Sequence, residues 1–500
     1  MNTANLRVAQ ADWSRLRQHF QSSFREAGAP ETGAIGVVGV SAVGDRREYL
    51  LAKVFWPQNG DLKIARDDSL VFDASYVRRA HLHMREHGLA GLVVFHTHPM
   101  ADAHVQFSWY DDEQEPSLAR NLSEIAPSTR FLSVVAGRRS QCGREWTNAG
   151  AIPLGELVVV GETIAYESLA GEPAPAPPHP AELFDRARAL SGAGAQTRLA
   201  RMTIGLVGAS GTGSLVGELL ARAGCRRILP IDDDVVKTIN LNRILYATRR
   251  DAELRTPKVE VLRRGIEGLG IGCVVDPVMG NVLDARVLAR LRMCDVIIGC
   301  VDKAFPRKFL GEFAYQYLRP YIDIGTEIGT AAKTAMSAVA SVDARVSYVA
   351  PGRPCLSCTG LVTPQQLAFE SLTSRERARV LAQGYSDHLR LVQPAVMDLN
   401  MRPAGLAVLL LRHLLQPFMA TPLPATIMEN LITGTTRLVR EARSANPTCR
   451  TCAASEHIGW GDCGPTIGLE EEALAAITEP LEDDQLPSPH EAPSPQGVAL

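Results

Sequence analysis

Hydrophobic and polar positions follow two different rhythms along this chain. In the first third, 35–43 and 50–55 have strand character, and 74–87 repeats its apolar positions at helical spacing. Residues 91–95 make a short buried strand that opens into a histidine-rich turn. These elements predict one mixed α/β unit over 1–168. From 183 onward strands and helices alternate. Residues 203–207 are a strand, a helix follows a glycine-rich loop and runs to about 222, and 227–231, 296–299 and 320–324 are further strands. That order predicts a parallel sheet with covering helices. Between the units, 171–180 read Gly-Glu-Pro-Ala-Pro-Ala-Pro-Pro-His-Pro, too rich in proline for a helix and too poor in apolar bulk to pack. Residues 169–182 are therefore expected to be a semi-stiff linker. The end, 466–500, is acidic and then rich in proline and serine, a composition expected to stay disordered.

Size and charge narrow the picture further. Five hundred residues call for two or three domains. A formal net charge of -3 gives no reason to expect nucleic acid or an anionic membrane as partner. The most apolar helix candidate, 404–415, is too short to span a bilayer and carries Arg412 and His413, so it is expected in a core. Asp12, Arg15, Arg17 and His19 interrupt any secretion-type apolar run. A cytoplasmic protein is expected, in which cysteines serve as metal ligands or nucleophiles rather than disulfides.

Candidate chemistry first appears around the histidine-rich turn. His96 and His98 alternate by two at a strand end, so their imidazoles share one side. With Asp111 they make two nitrogen ligands and one oxygen ligand, which leaves zinc a fourth position for water. Glu31 is the candidate general base, and Ser108 a donor to the oxyanion of a tetrahedral intermediate. The set Glu31-Thr-Gly-Ala-Ile-Gly-Val-Val-Gly39, His96-Thr-His98-Pro99 and Ser108-Trp-Tyr-Asp111 resembles the JAMM (MPN-plus) metalloisopeptidases, which remove ubiquitin and its relatives. The stretch from His98 to Ser108 is longer than that family's pattern by about two residues, which touches the loop more than the ligands. His104, within that loop, is expected to be solvated.

The second constellation is built on Gly208, Gly211 and Gly213, between a strand and a helix, where backbone amides approach phosphate. Such a loop fits a dinucleotide equally well. Its surroundings, Asp232-Asp-Asp234, Asn240-Leu-Asn-Arg243, Pro257-Lys258 and Gly299-Cys-Val-Asp302, resemble the ubiquitin-activating superfamily, which includes the adenylyltransferases of thiamine and molybdopterin sulfur carriers. The resemblance covers most of 184–452 and implies a Rossmann-like, doubly wound ThiF-type domain over 183–465. It implies that Asp232 holds the ribose hydroxyls of ATP, that Asn240, Arg243 and Lys258 contact the triphosphate, and that Asp302 binds Mg2+. Arg186 resembles the arginine that members donate across a homodimer. Asp233 is expected to be plain loop charge.

Cys355-Leu-Ser-Cys358 and Cys449-Arg-Thr-Cys452 supply four thiolates in two pairs, suited to a closed structural zinc site. Cys225, Cys273 and Cys294 are expected in the core. Ubiquitin-activating enzymes usually keep a nucleophilic cysteine between such pairs, yet 359–448 contain none. Cys463, in a glycine-rich segment, is the remaining candidate on a mobile element. The two resemblances together imply a bifunctional enzyme of a bacterial ubiquitin-like pathway. It would adenylate the C-terminal glycine of a ubiquitin-like protein and cut peptide or isopeptide bonds after that glycine, with a conjugating enzyme as further partner. The alternative is a sulfur-carrier adenylyltransferase and protease in sulfur or cofactor metabolism.

Overall fold

The computed structural model describes residues 4–26, 28–170, 182–330, 339–382, 396–420, 422–439, 448–453, 457–465 and 467. Most of the expected linker and nearly all of the expected disordered tail lie outside these residues. Two nine-stranded sheets organise the chain.

The first sheet holds β1 (Asn5–Ala9), β2 (Gly33–Val43), β3 (Arg46–Phe55), β6 (Gly91–Thr97), β7 (Arg130–Ala136), β8 (Gln141–Thr147), β9 (Gly150–Pro153), β10 (Glu156–Val160) and β11 (Ile164–Ser168), with a small hairpin β4 (Leu62–Ala65) and β5 (Leu70–Phe72) beside it. Its order is β11-β10-β1-β3-β2-β6-β7-β8-β9. Helices α1 (Gln10–Phe20), α2 (Ala74–Glu86) and α3 (Trp109–Ile125) complete the unit. Helix α2 shows why these residues fold as they do. Asp73 caps it by accepting from the Ser75 amide at 2.8 Å, and Tyr76, Ala80 and Met84 recur at a four-residue spacing as its buried stripe. It stops at His87, with Gly88 following at φ +64°. All seven residues of β6 are buried, between β2 and β7.

The second sheet contains β12 (Thr203–Val207), β13 (Arg227–Asp232), β14 (Val274–Val275), β15 (Val278–Met279), β16 (Val296–Gly299), β17 (Tyr321–Thr330), β18 (Val339–Val349), β19 (Thr426–Asn430) and β20 (Thr435–Val439). Its strands run β14-β13-β12-β16-β17 in parallel, and β18, β19 and β20 continue antiparallel. The helices are α4 (Asp185–Arg201), α5 (Gly211–Ala223), α6 (Arg249–Glu253), α7 (Lys258–Glu267), α8 (Ala285–Leu291), α9 (Ala304–Gln316), α10 (Pro364–Glu370), α11 (Ser374–Ala382) and α12 (Met397–Leu415). Alternation along the strands splits the core. Ile204, Leu206, Val296 and Ile298 pack with α5, α7 and α12, whereas Val207 and Ile297 pack with α8 and α9. This is the doubly wound arrangement. The apolar stretch 404–415 is core as expected, within the longer α12.

The two sheets share a core. Val158, Val160 and Ile164 of β10 and β11 belong to the same apolar cluster as α5 and α12. Tyr348 donates to the Gly161 carbonyl at 2.7 Å, and Arg353 pairs with Glu162. Residues 459–463 form a strap along the first sheet: Gly461 bridges Val40, and the Asp462 amide donates to the Val40 carbonyl at 2.7 Å. Among the described residues no helix is long and apolar enough to cross a membrane.

Candidate functional site

At the C-terminal end of β6, His96 and His98 flank Thr97, whose side chain turns the other way. The Thr97 hydroxyl accepts from the Thr32 amide at 3.0 Å, which fixes the residue after Glu31. Pairing of Gly33 with His96 across β2 and β6 brings Glu31 alongside, 65 positions upstream of His96. Its carboxylate lies 3.8 Å from His98 Nε2. Helix α3 supplies Asp111, with Oδ1 3.1 Å from His96 Nε2 and Oδ2 3.2 Å from His98 Nε2. The three donor atoms of His96, His98 and Asp111 fall within 4.8 Å of one another. His96 Nε2 is buried and, despite its distance to Asp111, makes no hydrogen bond of acceptable geometry. A buried, unpartnered imidazole nitrogen facing a carboxylate and a second imidazole fits a zinc ion.

Electrostatics set the two carboxyls apart. Burial pushes Glu31 up to about 8, against a smaller downward pull from His96. Burial also opposes ionisation of Asp111, but contacts with His96 and His98 and the Ser108 amide outweigh it and hold that carboxyl well below its ordinary range. Ser108 is the N-cap of α3. Its amide and hydroxyl donate to Asp111 Oδ2 at 2.7 and 2.8 Å, so here the hydroxyl orients that carboxylate. Donation to an oxyanion needs it to rotate away. His104 is exposed, as expected of the loop.

Sequence reasoning missed the support beneath this cluster. Glu115, one turn after Asp111, is buried and accepts from Arg144 Nε at 2.8 Å, Trp146 Nε1 at 2.6 Å and Ser133 Oγ at 2.5 Å. The Arg144 guanidinium stacks 3.7 Å from the Phe107 ring centre. Only the fold of β7 and β8 against α3 encloses Glu115.

In the second unit the glycine loop follows β12, where the sheet order reverses towards β13 on one side and β16 on the other. Gly208 has φ +91°, and a Cβ there would sit 2.7 Å from the Cys300 carbonyl. A Cβ on Gly213 would collide with the Gly208 carbonyl oxygen. Asp232 closes β13 and ties the loop down, Oδ2 accepting from the Ala209 amide at 2.7 Å and Oδ1 from the Asp234 amide at 2.9 Å. Burial raises the Asp232 carboxyl, with Lys258 opposing. Lys258 is buried at the start of α7, 3.8 Å from Asp232 and 2.6 Å from Asp234. Arg243 lies over the loop, its Cδ 3.3 Å from where a Gly211 Cβ would be, and Asn400 Nδ2 approaches the same point to 2.7 Å. Asn400, on α12, has no sequence motif to announce it. Asn240 is buried and accepts from the Lys237 amide at 3.0 Å. Asp302 is exposed just past β16. Arg186 is exposed on the first turn of α4, outside this cluster.

The four Sγ atoms of Cys355, Cys358, Cys449 and Cys452 lie within 4.8 Å of one another. Cys355 and Cys449 are 3.7 Å apart, Cys358 and Cys452 3.5 Å. A tetrahedron with Zn–S bonds of about 2.3 Å has edges of about 3.8 Å, so the set fits zinc. Cys225, Cys273 and Cys294 are buried as expected. Cys463 packs half-buried on the first unit's core, and burial raises its thiol. That placement does not suit a mobile nucleophile.

The sequence profile described as the ThiF family matches residues 184–451, more than half of the chain. The chain therefore belongs to the ThiF family. It is 34% identical over 141 residues to tRNA threonylcarbamoyladenosine dehydratase 2 of Saccharomyces cerevisiae, covering 27% of this chain and 30% of that protein. It is 32% identical over 115 residues to the SAMP-activating enzyme E1 of Haloferax volcanii, covering 23% of this chain and 42% of that protein. The chain spans less than half the length of these relatives. A crystal structure of E. coli MccB with ATP is 17% identical, with a TM-score of 0.42, and covers 54% of this chain and 74% of that one. The profile match starts at residue 184, after the His96 cluster.

Proposed function

We propose that this protein is a bifunctional enzyme acting on the C-terminal glycine of a ubiquitin-like or sulfur-carrier protein. One site adenylates that glycine with ATP, and the other hydrolyses the peptide or isopeptide bond after it. The observation that carries the reading is the company the ThiF-family loop keeps. In the same body, His96, His98 and Asp111 gather three donors within 4.8 Å, with Glu31 beside them.

In the adenylation half, a carboxylate oxygen of the glycine bonds to the α-phosphorus of ATP while the bond to the β-phosphate oxygen breaks, releasing pyrophosphate. Loop amides at Gly208, Gly211 and Gly213 face the phosphates, Asp232 takes the ribose hydroxyls, and Asp302 would hold Mg2+, whose charge would offset that of the phosphates. Negative charge grows on the α-phosphate, and Asn240, Arg243 and Lys258 stabilise it. Arg186 reaches the site of the other subunit in a homodimer. The SAMP-activating relative and the sulfur carrier protein adenylyltransferase of Thermus thermophilus, 31% identical over 116 residues, support a protein substrate by their names.

In the hydrolytic half, the N-terminal unit acts as a JAMM-type domain. A zinc ion held by His96, His98 and Asp111 would supply an acidic water and a polarised carbonyl. Glu31 takes the water's proton and delivers it to the leaving amine. Ser108 orients Asp111 and, after rotation, offers its proton to the oxyanion. The four cysteines would hold a second, structural zinc.

The test of the ATP half is ATP–pyrophosphate exchange with candidate carriers ending in glycine. Exchange by the parent and its loss in Asp302→Ala and Arg243→Ala are expected; exchange that survives both substitutions rejects the assignment. The absence of a cysteine over 359–448 favours sulfur transfer as the second reading. With a persulfide donor that route yields a thiocarboxylate on the carrier, whereas conjugation yields a thioester on this chain or on a conjugating enzyme.

A further inference from the structure

The last turn of α2 carries another cluster of donors that neither site uses. His83, Glu86 and His87 stand three and four positions apart, the spacing that puts side chains on one helix face. Their donor atoms lie within 4.8 Å of one another. The two imidazole rings are 4.3 Å apart, centre to centre, and inclined at 60°. Aromatic walls limit their movement on either side. Phe55 meets His83 edge-on at 5.4 Å, and Trp460 of the strap lies 5.4 Å from His87. Both histidines are half-buried, and Glu86 is exposed.

We propose that His83, Glu86 and His87 form a binding site for a zinc-like divalent cation, separate from the His96 cluster and from the four cysteines. Two imidazoles and one carboxylate select borderline ions such as Zn2+, Ni2+ or Cu2+ over Mg2+ or Ca2+, which prefer all-oxygen sets. Bonds of about 2.0–2.2 Å need donors about 3.3 Å apart, within reach of small side-chain rotations in a half-open site. The cluster sits where the α2 carbonyls end, the helix pole that favours a cation. Lys53 is the nearby opposing charge; it is exposed, with its ammonium over the Phe55 ring. Strand β6 starts at Gly91, just after this cluster, and reaches His96 five residues on. At about 3.3 Å per residue, His96 stands roughly 17 Å along the strand from Gly91. An ion here would lie at the end of α2 beside the strap.

The test is equilibrium dialysis of the full chain against micromolar zinc, with bound metal counted by elemental mass spectrometry. The double variant His83→Gln, His87→Gln is expected to bind one zinc fewer per chain than the parent, whatever the other clusters retain. Equal zinc in parent and variant, or a difference seen only at millimolar zinc, overturns the proposal. Glu86→Gln changes only an exposed carboxylate, so folding is not in question. It is expected to weaken one zinc equivalent by about tenfold or more. If the double variant fails to fold, this single change decides, and an unaltered titration rejects the site.

Discussion

Glu31 is a buried carboxyl beside two imidazoles, and the proposed hydrolysis depends on its ability to accept and release a proton. The sequence names it through its motif, but nothing local brings it to His96. The antiparallel pairing of β2 with β6 does that. Glu31→Gln keeps the shape and removes the base. Cleavage after the glycine of a ubiquitin-like precursor is expected to fall by about 10²–10⁴-fold with zinc content unchanged. Full cleavage by the variant, followed by gel or mass shift, excludes Glu31 as the base. Cys463 marks the limit of residue-level reading. A glycine-rich neighbourhood suggests mobility, yet those glycines allow the strap to lie against β2 and β3. A Cβ on Gly459 would sit 2.5 Å from the Leu51 carbonyl.

Strand and helix spacing made β6, α2, β12, α5, β13 and β16 legible, because each combines a clear period with a capping residue or a glycine at its end. The placement of helix α3 governs Asp111. The Ser108 cap sets its first turn, and Arg144 holds the next one through Glu115 while pairing with Asp112 at 2.5 Å. Arg144→Ala leaves Glu115 buried without its cation and loosens the helix that carries the ligand. Zinc affinity at the His96 cluster is expected to fall about 10–100-fold, as measured by competition with a chromophoric chelator. ATP–pyrophosphate exchange should remain, since β8 lies at the opposite end of the first sheet from β10 and β11, whose residues join the second unit's core. Unchanged zinc affinity would show that Arg144 does not position the ligand.

The whole molecule is bound together by a buried charge cluster at the seam of its two sheets. Glu48 pairs with Arg7 at 3.0 Å, with Arg46 at 3.2 Å and with Arg319, and Asp295 takes Arg46 at 2.6 Å and Arg7 at 3.1 Å. Burial opposes the Glu48 charge, but Arg319, Arg7 and Arg46 outweigh it and hold the carboxyl far below its ordinary value. Its contribution is therefore full above the unfolded carboxyl's range and is lost as pH falls towards the low folded value. Glu48→Gln leaves three guanidinium groups with one carboxylate and is expected to destabilise the chain by about 3–5 kcal/mol. Urea unfolding at neutral pH reads that loss, and the gap between variant and parent should narrow as pH drops below about 4. A gap that stays constant with pH would remove Glu48 charge as the cause. Because the cluster joins both units, the loss should appear as one transition.

From its amino acids alone this chain declared its ThiF-family, doubly wound half and the candidate residues that the fold gathers around His96 and among the four cysteines. Those depend on local periods, loop glycines and short motifs, all of which act within a few residues. The tertiary structure decided what long-range pairing decides. It showed that two predicted domains share a core across β10, β11 and α12, and that a C-terminal strap lies along the first sheet. It also placed Glu115 and Arg144 under the helix turn that carries Asp111 and gathered His83, Glu86 and His87 beside Trp460. Burial and charge pairing between residues far apart in the chain leave no periodic trace in sequence, so only folding brings them into view.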